Sequence, residues 1–184
     1  MFEAIIPFVV ALFAGALVKA VDWLDDDKKS RHPVKFLLAI FYGIAIGYVI
    51  GTASFALIFL AALIAQVLAR KVDTMAHIVG LAFAVISLPF FGIPYIDLPI
   101  LAYFLVLAFL DEGEYIGKLK FLSDYRPFLK VGALPFAFVG RWDYFVGILI
   151  FDFGYELARN ILSRSSKAAQ PQRTAAKKRK PGNT

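Results

Sequence analysis

From Phe36 to Ala69 the chain runs 34 residues without one Asp, Glu, Lys or Arg. As a single helix this run would be about 50 Å long at 1.5 Å per residue, well beyond the ~30 Å hydrocarbon core of a bilayer. Gly51-Thr52-Ala53-Ser54 near its middle is a cluster of small residues suited to a turn. The run therefore predicts two short crossings, 35–50 and 53–69. Composition agrees with a lipid environment: 60% of residues are hydrophobic and 18% charged, whereas soluble domains average about 45–50% and about 25%. The same figures exclude a disordered chain, which is poor in apolar residues.

The flanking segments extend the pattern. Thr74 to Ile96 is free of charge for 23 residues, and Pro89-Phe90-Phe91-Gly92-Ile93-Pro94 fits a hairpin better than mid-span, because proline removes a helix hydrogen bond. Crossings follow at 75–90 and 95–110. The first apolar stretch predicts a span at 3–24. A cleavable signal peptide, with Ala14-Gly15-Ala16 as its processing site, is disfavoured because Glu3 stands where a positive n-region belongs. At the other end Tyr144 to Leu162 predicts a span at 144–162. Phe128 to Gly140 contains Gly132 and Pro135 and is either a short crossing, 128–142, or a re-entrant segment. The expectation is an all-α, polytopic membrane bundle of about seven helices, with a range of five to seven at about 20 residues per crossing. It occupies residues 1–164 and is followed by a disordered basic tail, 165–184.

Charge gives the bundle a direction. The formal net charge is +6, yet Lys167, Arg173, Lys177, Lys178, Arg179 and Lys180 lie in a stretch with no acidic residue. Removing these six leaves 14 basic and 14 acidic residues, a neutral body. With the amino terminus outside, the inner segments hold Lys28, Lys29, Arg31 and Lys35, then Arg70 and Lys71, then Lys118, Lys120, Arg126 and Lys130, then Arg159, Arg164 and the tail. Only Arg141 falls outside, and Lys19 sits near the inner end of the first span, as the excess of basic residues in cytoplasmic loops demands. This predicts a multi-pass cell-membrane protein with a cytoplasmic carboxyl terminus. The tail is expected to meet anionic headgroups of membrane lipids at about 1 kcal/mol per basic residue. It lacks interleaved aromatic residues, so nucleic acid is not an expected partner. Gly43 and Gly47 form a G-x-x-x-G motif that lets helices approach closely, within the chain or between two copies as a homo-oligomer.

The chemistry rests on a few carboxylates. With no cysteine, thiolate catalysis, disulfides and zinc–thiolate sites are excluded. Lys19, Asp22 and Asp26 are spaced by three and four and share a helical face, as do Asp73 and His77. Asp152, Glu156 and Arg159 repeat the spacing, with Asp152 near the middle of an apolar span, where an ionised group usually faces the bundle interior and carries function. Asp22, Asp73, Asp152 and Glu156 are the candidate catalytic residues. Asp22, Asp25 and Asp26 are hard oxygen donors of the kind Mg²⁺ shares with a phosphate, and Lys19, Arg70, Lys71, Arg126 and Arg159 are candidate phosphate contacts. His77 joins them as a candidate substrate-binding residue. Asp22-x-x-Asp25-Asp26 has the acidic spacing of the aspartate-rich motifs of intramembrane prenyltransferases. No second full motif follows and the usual opening Asn is absent, so that family is not assigned. Three classes of function stay open: metal-assisted chemistry on a membrane-embedded lipid phosphate or pyrophosphate; proton- or cation-coupled transport of a small solute, for which carboxylates and a histidine within a bundle are the usual equipment; and a non-catalytic scaffold or accessory subunit.

Overall fold

In a computed structural model of the chain, the backbone is described for residues 2–27 and 33–178, and side chains for all of these except 2, 26, 27, 118, 123, 124 and 165–178. Every regular element among them is helical. The eight α-helices are α1 (Phe2–Asp22), α2 (Val34–Thr52), α3 (Ala56–Leu68), α4 (Met75–Phe91), α5 (Leu98–Asp111), α6 (Lys120–Tyr125), α7 (Pro127–Phe138) and α8 (Trp142–Lys178). A π-turn, Trp23–Asp27, prolongs α1, and a 3₁₀ turn, Gly117–Leu119, leads into α6. The helix of α8 continues to Lys178, into the stretch for which composition predicts disorder; residues 179–184 and the side chains from 165 onward lie outside those described.

Local chemistry explains where the helices begin and end. The Thr74 hydroxyl accepts the His77 backbone N–H at the start of α4 and Asp97 accepts that of Ile100 at the start of α5, each an N-cap satisfying a donor the first turn leaves open. Pro127 takes the first position of α7, where its missing N–H costs nothing. α4 runs through Pro89 to Phe91, three residues into the segment expected to form a hairpin. The turn is made instead at Gly92, whose φ of +118° is open to glycine and strained for other residues.

Seven of these helices shuttle between two ends of the molecule. At one end the π-turn after α1, the α3–α4 loop and the α5–α7 connection lie together: Asp25 pairs with Lys35, Thr74 donates to Asp25 at 2.9 Å, and Lys71 pairs with Glu114 at 2.8 Å. At the other end the turns after α2, α4 and α7 gather around Arg141, which donates to the Ser54 carbonyl at 2.8 Å. Between the ends the closest neighbours include parallel pairs. α1 lies along α8, so tightly that a Cβ on Gly15 would fall 2.1 Å from the Phe151 carbonyl oxygen and one on Gly154 2.0 Å from that of Leu12. α2 lies along α4 in the same way: Gly43 faces Gly80, and Gly47 faces Ala84 and Ser87. The G-x-x-x-G face is thus taken up inside the chain, and both of its glycines are buried.

The larger core, built on Phe55, Ile58, Phe104 and Tyr144, lies toward the Arg141 end, with a smaller cluster of Val21, Ala39, Tyr42 and Ala76 at the opposite end. Two segments, Glu3–Asp25 and Val34–Thr52, are long and apolar enough to cross a membrane, while α3, α4, α5 and α7 are shorter apolar helices of 10–17 residues. The outer surface carries large exposed apolar side chains along the helices, among them Phe13, Phe41, Val85, Val106 and Phe153, all at least half exposed.

Candidate functional site

Four helices bring a run of titratable side chains together where α1 enters its π-turn. The Tyr155 hydroxyl of α8 donates to Asp22 Oδ2 at 2.8 Å. The other oxygen of Asp22 lies 3.1 Å from His77 Nε2 on α4. His77 Nδ1 lies in turn 3.2 Å from the Tyr42 hydroxyl of α2. An imidazole donating through Nε2 to Asp22 leaves Nδ1 to accept from Tyr42, so one tautomer satisfies the run from end to end. The tight packing beneath it sets the geometry. Gly80 lies under the Tyr42 ring, and a Cβ there would fall 2.0 Å from the hydroxyl oxygen. Lys19 stands 5.4 Å from the centre of the Tyr155 ring, within cation–π range. One turn further on, Asp25 is held by Lys35 and Thr74. Asp22 and His77 are each about one-fifth exposed at the side chain.

The other expected residues are dispersed. Asp73 lies in the loop before α4, exposed, and does not share a helical face with His77; it is Asp22, from another helix, that reaches the imidazole. Asp152 pairs with Lys130 of α7 at 2.6 Å, and Glu156 with Arg159 of its own helix at 2.9 Å. Arg70 is exposed at a positive φ of 55°. Lys71 is engaged by Glu114 and Arg126 by Glu112, at 2.8 and 3.4 Å. Burial pushes the Glu112 carboxyl above its ordinary value although Arg126 draws it down, whereas exposed Glu114 is held below its own by Lys71. The expected phosphate contacts therefore do not converge. Asp22 and Asp25 turn to different partners, the Asp26 side chain lies outside those described, and no three acidic or imidazole groups come together as a metal site among the described residues. Tyr42, Tyr155, Lys35, Thr74 and Lys130 complete these contacts and were not singled out by sequence. Tyr155 carried a signal, lying inside the Asp152–Glu156 segment; Tyr42 carried none beyond its place beside Gly43.

At the far end of the molecule a pocket of about 380 Å³ opens among the turns. Gly51, Thr52, Asp97, Arg141, Tyr95 and Tyr144 contribute to its wall. Arg141 is clamped by Asp143 through two contacts of 3.1 Å and lies over the Tyr144 ring at 4.5 Å. Burial pushes the Asp143 carboxyl up, but hydrogen bonds from Arg141 and Ser54 outweigh it and hold the group below the ordinary aspartate value. α8 contributes to both places, with Tyr144 at the pocket and Tyr155 in the polar run, about 16 Å apart along the helix. Comparison with protein families, characterised proteins and solved structures gives no match for this chain.

Proposed function

We propose that this chain is a seven-span membrane protein, its amino terminus outside and its basic end cytoplasmic, that carries a small solute in exchange or symport with protons. The observation that carries this reading is the hydrogen-bonded run Tyr155–Asp22–His77–Tyr42, contributed by four helices. An imidazole in direct contact with a carboxylate inside an apolar bundle is the equipment that proton-coupled carriers use.

Three further features support it. The large apolar side chains exposed around the bundle would form far too extensive a patch in water and cost nothing in lipid. Among the described residues Arg141 is the one basic side chain at its end of the bundle, while Lys35, Lys71, Arg126, Lys130 and Arg159 stand toward the other, an asymmetry that supports this orientation. The pocket sits at the Arg141 end and falls in the range of small-molecule sites. The opposite end carries the pairs Asp25–Lys35, Glu112–Arg126, Glu114–Lys71 and Asp152–Lys130. A pocket at one end and a concentration of ion pairs at the other suit an alternating-access cycle. Metal-assisted lipid-phosphate chemistry receives less support, because Asp22, Asp25, Asp152 and Glu156 turn to separate partners rather than to one another.

The chain has no cysteine, so single reporters can be added directly. In the full-length protein in vesicles, Ala53→Cys at the pocket and Ala76→Cys at the buried opposite end are labelled with a membrane-impermeant maleimide across a pH series. The carrier reading expects the two labelling rates to move in opposite directions with pH and to stop responding in the Asp22→Asn background. Rates that are indifferent to pH at both positions would overturn it.

A further inference from the structure

In the pocket at the Arg141 end, the charged donor is committed within the wall and one carboxylate is not. Arg141 turns to Asp143: Nε and Nη2 reach its two oxygens at 3.1 Å, and Nη2 also donates to the Ser54 carbonyl at 2.8 Å. The Ser54 hydroxyl turns to Asp143 as well. The Thr52 hydroxyl donates to the Tyr48 carbonyl at 2.7 Å, which leaves its lone pairs for a ligand. Asp97 also lines the pocket, and its Oδ1 accepts the Ile100 backbone N–H at 3.2 Å. Among the described residues no basic side chain pairs with it; Arg141, the one at this end, pairs with Asp143. Arg141 is thus answered by Asp143, and the carboxylate of Asp97 is left uncompensated. Two residues before it in the chain, Tyr95 lines the same pocket with a side chain that is 88% exposed. A tyrosine ring attracts a cation placed over its face.

We infer that this pocket binds a small organic cation, an ammonium ion with an apolar portion, using Asp97 as its counter-ion, Thr52 as a neutral acceptor and Tyr95 as an aromatic contact. The inference rests on the carrier reading in that it names the class of the carried solute; occupancy of the pocket is a separate matter from transport. An ammonium group brings donors and no acceptor, which complements a wall whose uncommitted charge is an acceptor. An anion, or the carboxylate of a zwitterion, would have to draw Arg141 away from Asp143. Size points to an organic ion rather than a bare inorganic one, since about 380 Å³ is many times the ~30 Å³ share of one water molecule. Leu57 and Pro94 in the wall suit the apolar portion.

The test uses the full-length Ala53→Cys protein in vesicles, because position 53 lines the pocket and a bound molecule should slow its labelling by the impermeant maleimide. Four probes carry a phenyl group on a short arm and differ in charge: 2-phenylethylammonium, phenylalanine as the zwitterion, 3-phenylpropionate as the anion and 2-phenylethanol as the neutral form. The ammonium probe should protect position 53 at a concentration about tenfold lower than any of the others requires. Asp97→Asn keeps the cap on α5, since asparagine also accepts the Ile100 N–H, and should raise that concentration about tenfold. Asp97→Glu, which restores the charge, should recover most of the protection. Equal protection by the ammonium and alcohol probes, or protection unchanged in Asp97→Asn, would overturn the inference and reduce the site to an apolar pocket. Stronger protection by phenylalanine or phenylpropionate, lost in Arg141→Gln, would overturn it in favour of a carboxylate held by Arg141. No protection by any probe, with the pH response of the two cysteines intact, would overturn it and leave the carrier reading standing. Protection at 53 by the ammonium probe that leaves labelling of Ala76→Cys unmoved would uphold the site and count against the carrier reading alone.

Discussion

The carboxylate of Asp22 lies 3.1 Å from the imidazole of His77, and each is held on its far side by a tyrosine, Tyr155 for the acid and Tyr42 for the imidazole. Tyr155→Phe keeps the ring against which Lys19 stands and deletes only the donor to Asp22. It should cost about 1 kcal/mol, the net value of one such hydrogen bond, and leave the fold intact. Under the carrier reading it should also move the pH midpoint of the maleimide labelling at position 76, whereas a purely structural hydrogen bond would change the thermal midpoint alone. Thermal unfolding in detergent and the labelling profile together read both effects.

Gly80 and Gly154 should differ in their tolerance of a methyl group. At Gly80 the obstacle is the end of the Tyr42 side chain, which can swing aside; at Gly154 it is the Leu12 backbone carbonyl, which moves only with its helix. Gly80→Ala should cost about 1–2 kcal/mol and break the Tyr42–His77 contact. Gly154→Ala should cost about 3 kcal/mol or more, as overpacking does where neighbours cannot adjust. Melting curves of the two variants in one detergent decide the order.

Asp111 is 4% exposed and its two oxygens accept the N–H groups of consecutive residues at the start of α7. It acts as a cap supplied from a neighbouring helix end. Asp111→Ala leaves one buried and one part-buried donor without its acceptor and should destabilise by about 2–4 kcal/mol, with Asp111→Asn recovering about half because one acceptor remains. Hydrogen exchange at Phe128 and Leu129 should accelerate in the alanine variant first.

The Arg141–Asp143 clamp should make its end of the molecule acid-sensitive. Folding holds Asp143 below the ordinary aspartate value of 3.8, so the folded state binds fewer protons than the unfolded one. The associated stability is fully present above that value and is lost as pH falls through the lower, folded value. Glu112 works the opposite way: its folded pKa is raised above the ordinary 4.5, so its contribution improves as pH falls from the folded value to the ordinary one. Melting temperature followed between about pH 6 and about pH 2.5 should decline at the acid end. In Arg141→Gln, where burial acts on Asp143 without its strongest counterweight, that decline should shrink.

Much of the helix pattern could be read from the residues, because charge-free runs and their Gly and Pro interruptions act locally. The partnering could not. The spacing of Asp73 and His77 described one imagined helix, yet Thr74 caps α4 and leaves Asp73 outside it. Glu156 and Arg159, one turn apart, do pair, since that contact lies within one helix. The Asp152–Lys130 pair joins α8 to α7 and the Asp22–His77 contact joins α1 to α4. Periodicity tells which residues share a face and is silent on what that face meets. Tyr42 and Tyr155 were passed over for a related reason: a tyrosine in an apolar run reads as core until its hydroxyl finds a carboxylate or an imidazole.

The parallel packing of α1 against α8 fixes an order of events during synthesis. The first helix made finds its neighbour of closest approach only when the last one emerges. Until Tyr155 arrives, Asp22 has at most the partner supplied by α4, and the seam of Gly15 and Gly154 is empty on one side. A ribosome stalled anywhere before α8 leaves a nascent chain with an unfilled groove and a half-satisfied acid, a state that quality-control proteases can distinguish from the finished protein.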